Sequence, residues 1–204
     1  MRKSGRGQLA VLGGTFDPPH LGHVALASMA AAQLDLEQVL FLLTADPPHK
    51  QKRQISAVEE RLAMLKLAIS GQASFAISRL EIDRPGPHYA VETVKLLGDK
   101  HPGKDIAYLI GSDSLQDLPG WHRAEEFLAN ISLLVVMRRP GSQPDLKKLR
   151  GELPELKEKL TYIESPPLEI SSRQIRQRAR EDGTFRYYLH EKVFDYIQEN
   201  KVYT

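Results

Sequence analysis

The stretch QLAVLGGTFDPPHLGH, residues 8–23, decides the fold class. It starts with the apolar run 8–12, which is long enough for one buried strand, and continues through Gly13 and Gly14 into two prolines and a helical pattern. A glycine-rich turn between a strand and a helix is typical of an open α/β sheet, and such sheets bind ligands at the carboxyl ends of their strands. We therefore expect a binding site at residues 13–23.

The same alternation of strand and helix continues along the chain. Further apolar runs of strand length lie at 39–43, 74–78, 106–110 and 131–137, with a sixth candidate at 159–163. Helical patterns separate them at 20–34, 56–70, 89–100 and 123–130. Ser56 and Glu59 predict a capping box at the start of the second helix. Short apolar runs are typical of parallel strands buried on both faces, so the order predicts an α/β fold, a Rossmann-like doubly wound parallel sheet with helices on both faces.

The last third of the chain has a different pattern. Two prolines and a glycine predict a long loop at 138–144, a charged helical segment follows at 145–152, and two more helices are predicted at 172–181 and 190–200. No change in composition separates two domains. We expect a single domain over residues 1–204, with an α/β core at about 8–165 and a small helical C-terminal subdomain at about 166–204.

Composition excludes several classes of function. The 204 residues include no cysteine, and 28 Lys+Arg against 26 Asp+Glu give a formal net charge of +2. A disulfide or thiolate metal site is therefore excluded, and no long-range attraction to nucleic acid is expected. The longest apolar stretch, 131–137, is far shorter than the roughly 20 residues of a membrane-spanning helix. The basic start lacks a signal-peptide core, so the cytoplasm is the expected location, with no membrane partner.

The first motif with chemical meaning is the turn after the first predicted strand. Gly13 and Gly14 leave room for a phosphate, and the free N–H groups at the following helix start favour anions. His20 and His23 are three residues apart near that start and share one side. A glycine turn with surface histidines is the ordinary interpretation of each feature alone, but the combined string is more specific. His20-Leu21-Gly22-His23 resembles the (H/T)xGH signature of the nucleotidyltransferase superfamily, whose members bind the phosphates of ATP at this turn.

The second motif is ISSRQIRQR, residues 170–178. Ser171 and Gln174 fit a capping box at a helix start. Three arginines then share one helix face at spacings of three and four: Arg173, Arg176 and Arg180. A solvated basic face would give the same pattern, but serines and an arginine at a helix start also form a phosphate cradle. The segment resembles the ISSxxIR motif of the same superfamily and matches it in full.

Further segments narrow the resemblance. They are DPPHK at 46–50, YAVET at 89–93, IGSDSL at 110–115, LPGWH at 118–122, RPG at 139–141 and RYYL at 186–189. Each alone has an ordinary structural explanation, and Trp121, the only tryptophan, would more often lie in the core than bind a ligand. In this order, from residue 8 to the C-terminus, they resemble the bacterial nicotinate-nucleotide adenylyltransferases. The basic residues before Gln8 lie outside the resemblance.

The resemblance implies an enzyme that transfers the adenylyl group of ATP to nicotinate mononucleotide and releases pyrophosphate. It implies that the ATP site is lined by Gly13, Gly14, Thr15, Phe16, His20, His23, Gly111, Asp113, Ile170, Ser171 and Arg176. It also implies that the nicotinate nucleotide is surrounded by Lys50, Tyr89, Ala90 and Trp121. Trp121 is expected to stack on the pyridine ring.

The reaction needs no protein nucleophile, because the attacking phosphate oxygen is already anionic at neutral pH. Catalysis then consists of alignment and charge stabilisation, for which His20, His23 and Arg176 are the candidate donors. Mg²⁺ is expected to arrive with the triphosphate, since no dense carboxylate cluster has the spacing of a magnesium site. Asp17 and Asp113 are candidate outer contacts.

One position departs from the family pattern, and three alternatives stay open. After Tyr89 the family often carries threonine and this chain has Ala90, so the ring carboxylate must be bound by backbone N–H groups or another residue. An enzyme for the amide-form nucleotide, a phosphopantetheine adenylyltransferase and a non-catalytic nucleotide-binding module are the alternatives. A phosphopantetheine adenylyltransferase is usually shorter and lacks counterparts of Trp121 and of the 47–50 segment. A non-catalytic binding module needs no donors that stabilise a transition state, so the presence of both histidines and Arg176 argues against it. Class I aminoacyl-tRNA synthetases share the histidine motif, but this chain is too short and lacks a KMSKS-like sequence.

Overall fold

Six parallel strands form one sheet in the computed structural model, which describes residues 7–46, 55–138, 143–166, 168–181 and 183–203. The strands are β1 (Gln8–Gly14), β2 (Val39–Leu43), β3 (Phe75–Ser78), β4 (Asp105–Gly111), β5 (Leu133–Met137) and β6 (Leu160–Ile163). Their order across the sheet is β3-β2-β1-β4-β5-β6, and every neighbouring pair is parallel. The predicted doubly wound sheet, including its sixth strand, is confirmed.

Helices connect the strands. They are α1 (Leu21–Leu34), α2 (Val58–Ala68), α3 (Ala90–Lys100), α4 (Ser112–Asp117), α5 (Ala124–Ala129), α6 (Leu146–Glu152), α7 (Leu156–Lys159), α8 (Ser172–Arg180) and α9 (Glu191–Glu199). The predicted helices are confirmed with slightly shorter ends, whereas the short α4 and α7 were not predicted. Within the described ranges, no helix is both long and apolar enough to cross a membrane.

Alternate residues of the central strand face two separate cores. Ala10 and Leu12 pack with the side chains of α1, α2, α8 and α9, and Leu9 and Val11 pack with those of α3, α5 and α6. Because both faces of β1 are buried, its sequence is apolar without alternation. The C-terminal helices share the core under α1 and α2, which brings the segment 170–180 beside the start of α1.

The start of α2 differs from the prediction. The capping box predicted from Ser56 and Glu59 is wrong, because the helix begins at Val58 with Ala57 as its N-cap. Glu60 accepts a hydrogen bond from the Ala57 N–H at 3.1 Å. The Ser56 carbonyl accepts instead from the Arg61 side chain, so the chain enters the helix one residue later than the serine pattern suggested.

Candidate active site

The two glycines that end β1 lie against bulky side chains. A Cβ atom on Gly13 would stand 2.3 Å from the hydroxyl oxygen of Tyr108 on the neighbouring strand β4, and one on Gly14 would stand 3.0 Å from the Phe16 ring. Burial raises the pKa of Tyr108, and the nearby charge of Glu81 raises it further, so this phenol stays neutral. Packing within the protein therefore favours glycine at both positions, most strongly at Gly13, in addition to any approach of a phosphate.

The two histidines of the first motif stack on one another at the start of α1. Their ring centroids are 3.7 Å apart with an interplanar angle of 26°, and His20 is buried while His23 is half-buried. The backbone N–H of His20 donates to Nδ1 of His23 at 3.1 Å. Because Nδ1 accepts this bond, a neutral His23 carries its proton on Nε2, which leaves Nε2–H as the donor of that ring.

The second motif contacts the turn between β1 and α1 directly. Arg176 Nη1 donates to the backbone carbonyl of Asp17 at 2.6 Å, and the Ser172 hydroxyl donates to the carbonyl of Pro18 at 2.8 Å. Near the end of the chain, the Tyr203 hydroxyl donates to Oδ1 of Asp17 at 2.8 Å. Burial raises the pKa of Tyr203, and its contact with Asp17 adds to that rise. Three donors from the C-terminal region therefore fix the turn that follows β1.

The start of α8 is held by its own cap. The Gln174 N–H donates to the Ser171 hydroxyl oxygen at 3.3 Å, as the motif predicted, and that hydroxyl donates to Oε1 of Gln174 at 2.9 Å. The capped helix start faces the turn after β1, so its remaining N–H groups lie at the same cavity as the histidines.

A cavity of about 460 Å³ lies between these elements. Its lining includes most of the side chains expected around ATP, namely Gly13, Gly14, Thr15, Phe16, His20, His23, Asp113, Ser171 and Arg176. Asp17, Ile55, Ser114, Ser172 and Arg173 complete it. Gly111 and Ile170 adjoin this cavity without lining it: Gly111 precedes α4, and Ile170 lies near Gly22. The cavity is at the carboxyl ends of β1 and β4, where the strand order reverses.

The described residues expected around the nicotinate ring lie at the start of α3 and beside the strand β4. Tyr89 is the N-cap of α3, Ala90 is its first residue, and the Tyr89 ring lies 4.1 Å from the ring of His122. Trp121 is partly buried and packs on Phe127 at 5.3 Å and against the edge of Tyr108 at 6.4 Å. Lys50 and the rest of 47–50 lie outside the described residues, as does 139–141.

Sequence reasoning missed three residues that shape this region. His122 belongs to the segment 118–122, for which the sequence predicts only a turn, yet its ring lies on that of Tyr89. Glu81 is buried and accepts from the Thr93 hydroxyl of α3 at 2.5 Å, and burial raises its pKa. Arg61 is buried in α2. The only signal in the sequence was the position of Arg61 in the stripe completed by Met64, Leu65 and Ala68, where an apolar residue is expected.

Known proteins resemble this chain over almost its entire length. A family model described as cytidylyltransferase-like matches residues 11–178. A probable nicotinate-nucleotide adenylyltransferase from Thermomicrobium roseum is 39% identical over 196 residues, covering 96% of this chain and 91% of the relative. The chain belongs to the cytidylyltransferase-like family, on its nicotinate-nucleotide adenylyltransferase branch. A second relative of this branch, from Bacillus anthracis, is 40% identical over 196 residues, with 96% of this chain and 98% of the relative covered.

Solved structures show that this family member shares its fold with distant proteins. The Plasmodium falciparum nicotinic acid mononucleotide adenylyltransferase complexed with NaAD superposes with a TM-score of 0.80 at 18% identity, covering 96% of this chain and 97% of that one. The same protein complexed with APC gives a TM-score of 0.76, also at 18% identity, with 97% of each chain covered. Such a likeness at low identity shows the common α/β fold.

Proposed function

We propose that the protein transfers the adenylyl group of ATP to nicotinate mononucleotide, giving nicotinate adenine dinucleotide and pyrophosphate. One observation carries the proposal: both superfamily motifs line one cavity at the carboxyl ends of β1 and β4, where Arg176 of the second motif bonds the turn of the first. The names of the full-length relatives support the same activity. The whole chain then acts as one nucleotidyltransferase domain, whose C-terminal helices bring the second motif to the sheet.

The chemistry follows from the donors around the cavity. A phosphate oxygen of nicotinate mononucleotide attacks the α-phosphorus of ATP and forms a new P–O bond. The bond from the α-phosphorus to the bridging oxygen breaks, and pyrophosphate leaves with that electron pair. His20, His23 and Arg176 donate hydrogen bonds to the phosphate oxygens on which charge accumulates, so they stabilise the transition state more than bound ATP.

A divalent cation fits this site as a companion of the triphosphate. Of the residues described, no three His, Asp or Glu side chains come together in a group that could hold a metal ion. The carboxylate of Asp17 accepts from Tyr203 and lies 3.8 Å from Arg176, and Asp113 is the other carboxylate that lines the cavity, so both stay candidates for an outer contact. Mg²⁺ bound to ATP would neutralise part of the phosphate charge.

The nicotinate ring is proposed to lie between Trp121 and the start of α3. The partly buried indole is fixed by Phe127 and Tyr108, so it offers a rigid face for stacking. Ala90 brings no hydroxyl, and the free N–H groups at the N-terminus of α3 therefore bind the ring carboxylate. Lys50 is proposed to contribute a cation to the same substrate.

Pyrophosphate release tests the activity. Purified protein is given ATP and Mg²⁺ with one acceptor at a time: nicotinate mononucleotide, the amide-form mononucleotide, phosphopantetheine or none. We expect release with nicotinate mononucleotide, and a dinucleotide of the expected mass. Release with phosphopantetheine alone would assign the enzyme to that reaction, and ATP binding without release with any acceptor would identify a non-catalytic module.

A further inference from the structure

Arg61 is a buried cation whose hydrogen-bond acceptors are backbone carbonyls. It is 1% exposed, and the three nitrogens of its guanidinium donate four hydrogen bonds. Nε donates to Ser56 at 2.9 Å, Nη1 to Thr15 at 3.0 Å and Thr44 at 2.7 Å, and Nη2 to Ala45 at 2.9 Å. Burial lowers the pKa of Arg61, and the charge of Asp17 offsets part of that effect. Four of the five N–H groups of the fork are therefore used.

The carbonyls that Arg61 joins lie at the ends of two neighbouring strands and just before α2. Thr15 lies in the turn after β1 and lines the ATP cavity. Thr44 and Ala45 follow β2 and lead into the segment that carries Lys50, while Ser56 precedes α2. The Thr44 N–H also donates to the Gly14 carbonyl at 2.9 Å, so the two strand ends are already adjacent. Beyond that point, Arg61 holds the backbone after β1 and the backbone after β2 next to each other.

Packing alone does not require an arginine at this position. Met64 and Leu65 fill the same stripe of α2 with apolar side chains, and a similar residue at 61 would avoid the cost of burying a charge. What an apolar residue lacks is a rigid planar fork that bonds several carbonyls at once, and lysine lacks it too. The side chain is therefore better explained by the geometry that it imposes than by the stability that it adds.

We propose that Arg61 is a positioning residue that holds the turn after β1 in one fixed relation to residues 44–45 and to the start of α2, so that the α-phosphate of ATP is presented in line to the attacking phosphate. This inference rests on the proposed adenylyl transfer, in which the attacking and leaving oxygens must align across the α-phosphorus. A displacement of about 1 Å in such an alignment lowers the rate by about 10²-fold. ATP binding draws mainly on the turn and on α8, which holds that turn through Ser172 and Arg176 without Arg61, so it is much less sensitive to that displacement.

The test compares Arg61→Lys, Arg61→Met and Arg61→Ala with Arg79→Met as the matched control. Arg79 lies outside the site and pairs with Asp83 on the surface. For each protein we would measure kcat, the KM for each substrate, the ATP affinity by calorimetry and the thermal unfolding temperature. In Arg61→Lys, kcat is expected to fall at least about tenfold while the ATP affinity stays within about threefold. The control should keep the kcat of the unmodified protein.

Rescue separates positioning from stability. Arg61→Ala leaves a cavity of guanidinium shape bounded by the four carbonyls, so guanidinium below denaturing concentrations should restore turnover in a saturable way, and Arg79→Met should gain nothing. If Arg61→Met does not fold, the lysine variant and the rescue decide the question. The inference is overturned if Arg61→Lys keeps its kcat, or if turnover only follows the folded fraction. An inactive unmodified protein would instead refute the proposed function.

Discussion

The guanidinium of Arg176 lies 2.6 Å from the backbone carbonyl oxygen of Asp17, to which it donates a hydrogen bond across 159 positions of sequence. The side chain of Arg176 is 22% exposed, and it lines the cavity. One nitrogen of the fork is therefore committed to the protein, and the side chain borders the place proposed for the triphosphate. This bond joins the segment 170–178 to the turn that precedes α1.

The first prediction is that Arg176→Lys is nearly as damaging as Arg176→Ala. A lysine ammonium cannot bond the Asp17 carbonyl and two phosphate oxygens in the planar geometry of a guanidinium, so both variants should lose about 10²-fold or more in kcat. Arg178→Lys on the same helix is the control, since Arg178 packs over the Tyr188 ring and does not line the cavity. Substantial activity in Arg176→Lys would mean that the residue acts as a point charge.

The second prediction separates turnover from binding at the stacked histidines. His20→Ala and His23→Ala should each lower kcat by about 10²-fold or more, because the charge that they meet exists mainly in the transition state. The ATP dissociation constant should change by no more than about threefold. His101→Ala, at the exposed end of α3, is the matched control. Near-normal turnover in both His20→Ala and His23→Ala would contradict the proposal that these histidines stabilise the transition state.

The third prediction concerns the contact of Gly13 with Tyr108. Gly13→Ala should lower the free energy of unfolding by about 1–3 kcal/mol, because the new Cβ atom and the Tyr108 hydroxyl would overlap at 2.3 Å. The double variant Gly13→Ala with Tyr108→Phe should recover part of that loss. Gly98→Ala in α3 is the control: its Cβ would meet nothing within 4 Å, and it should stabilise by about 0.5–1 kcal/mol. Denaturant unfolding measures these three variants, Tyr108→Phe alone and the unmodified protein, and strict additivity of Gly13→Ala and Tyr108→Phe would contradict the contact.

The fourth prediction is a preference for nicotinate mononucleotide over the amide form. Stacking on Trp121 is the same for both rings, whereas the N-terminus of α3 favours an anion and would direct N–H groups at the N–H groups of an amide. One such mismatch costs roughly 1–3 kcal/mol, which corresponds to about ten- to hundredfold in kcat/KM. Steady-state kinetics with both nucleotides gives the ratio. Ala90→Thr should increase it, because threonine adds a hydroxyl donor, and equal values for both nucleotides would show that this helix start does not read the carboxylate.

The fifth prediction is a pH dependence of stability that comes from Glu81. Burial raises the pKa of this carboxyl above its ordinary 4.5, so its contribution to stability is complete below about pH 4.5 and is lost as the pH rises through the folded-state pKa. Glu81→Gln keeps an acceptor for Thr93 without the charge. It should therefore raise the unfolding temperature at pH 7 to 8 and have little effect in acid. Glu37→Gln, in an exposed loop, is the control, and parallel pH profiles for Glu81→Gln and the unmodified protein would disprove the assignment.

The sheet could be predicted because its strands are buried on both faces. Both faces of β1 are buried, so its residues do not alternate between apolar and polar. The same holds for β2, β4 and β5. The lining of the candidate cavity could be predicted in outline because Gly13, His20 and Ser171 belong to contiguous motifs. The start of α2 was misplaced by one residue because its N-cap is Ala57, whose N–H bonds the Glu60 side chain, and an alanine gives no capping signal in the sequence.

The residues that support the site could not be predicted from local pattern. An arginine in a helical segment normally faces water, and Arg61 is buried only because the ends of β1 and β2 meet above it. Tyr203 reaches Asp17 across 186 positions, a contact that no spacing rule contains. Glu81 lies beyond the last residue of β3 and acquires its partner only when α3 packs against it. Each of these contacts arises from the assembled sheet.

The position of β1 between β2 and β4 has a consequence for synthesis on the ribosome. The first neighbour of β1 is translated soon after it, but the second follows only at residues 105–111, and the arginine that clamps the turn comes at 176. A nascent chain can therefore bury one edge of β1 early, yet it has no complete nucleotide cavity until α8 has emerged. A ligand that needs this whole cavity would therefore stabilise the finished fold and not its precursors.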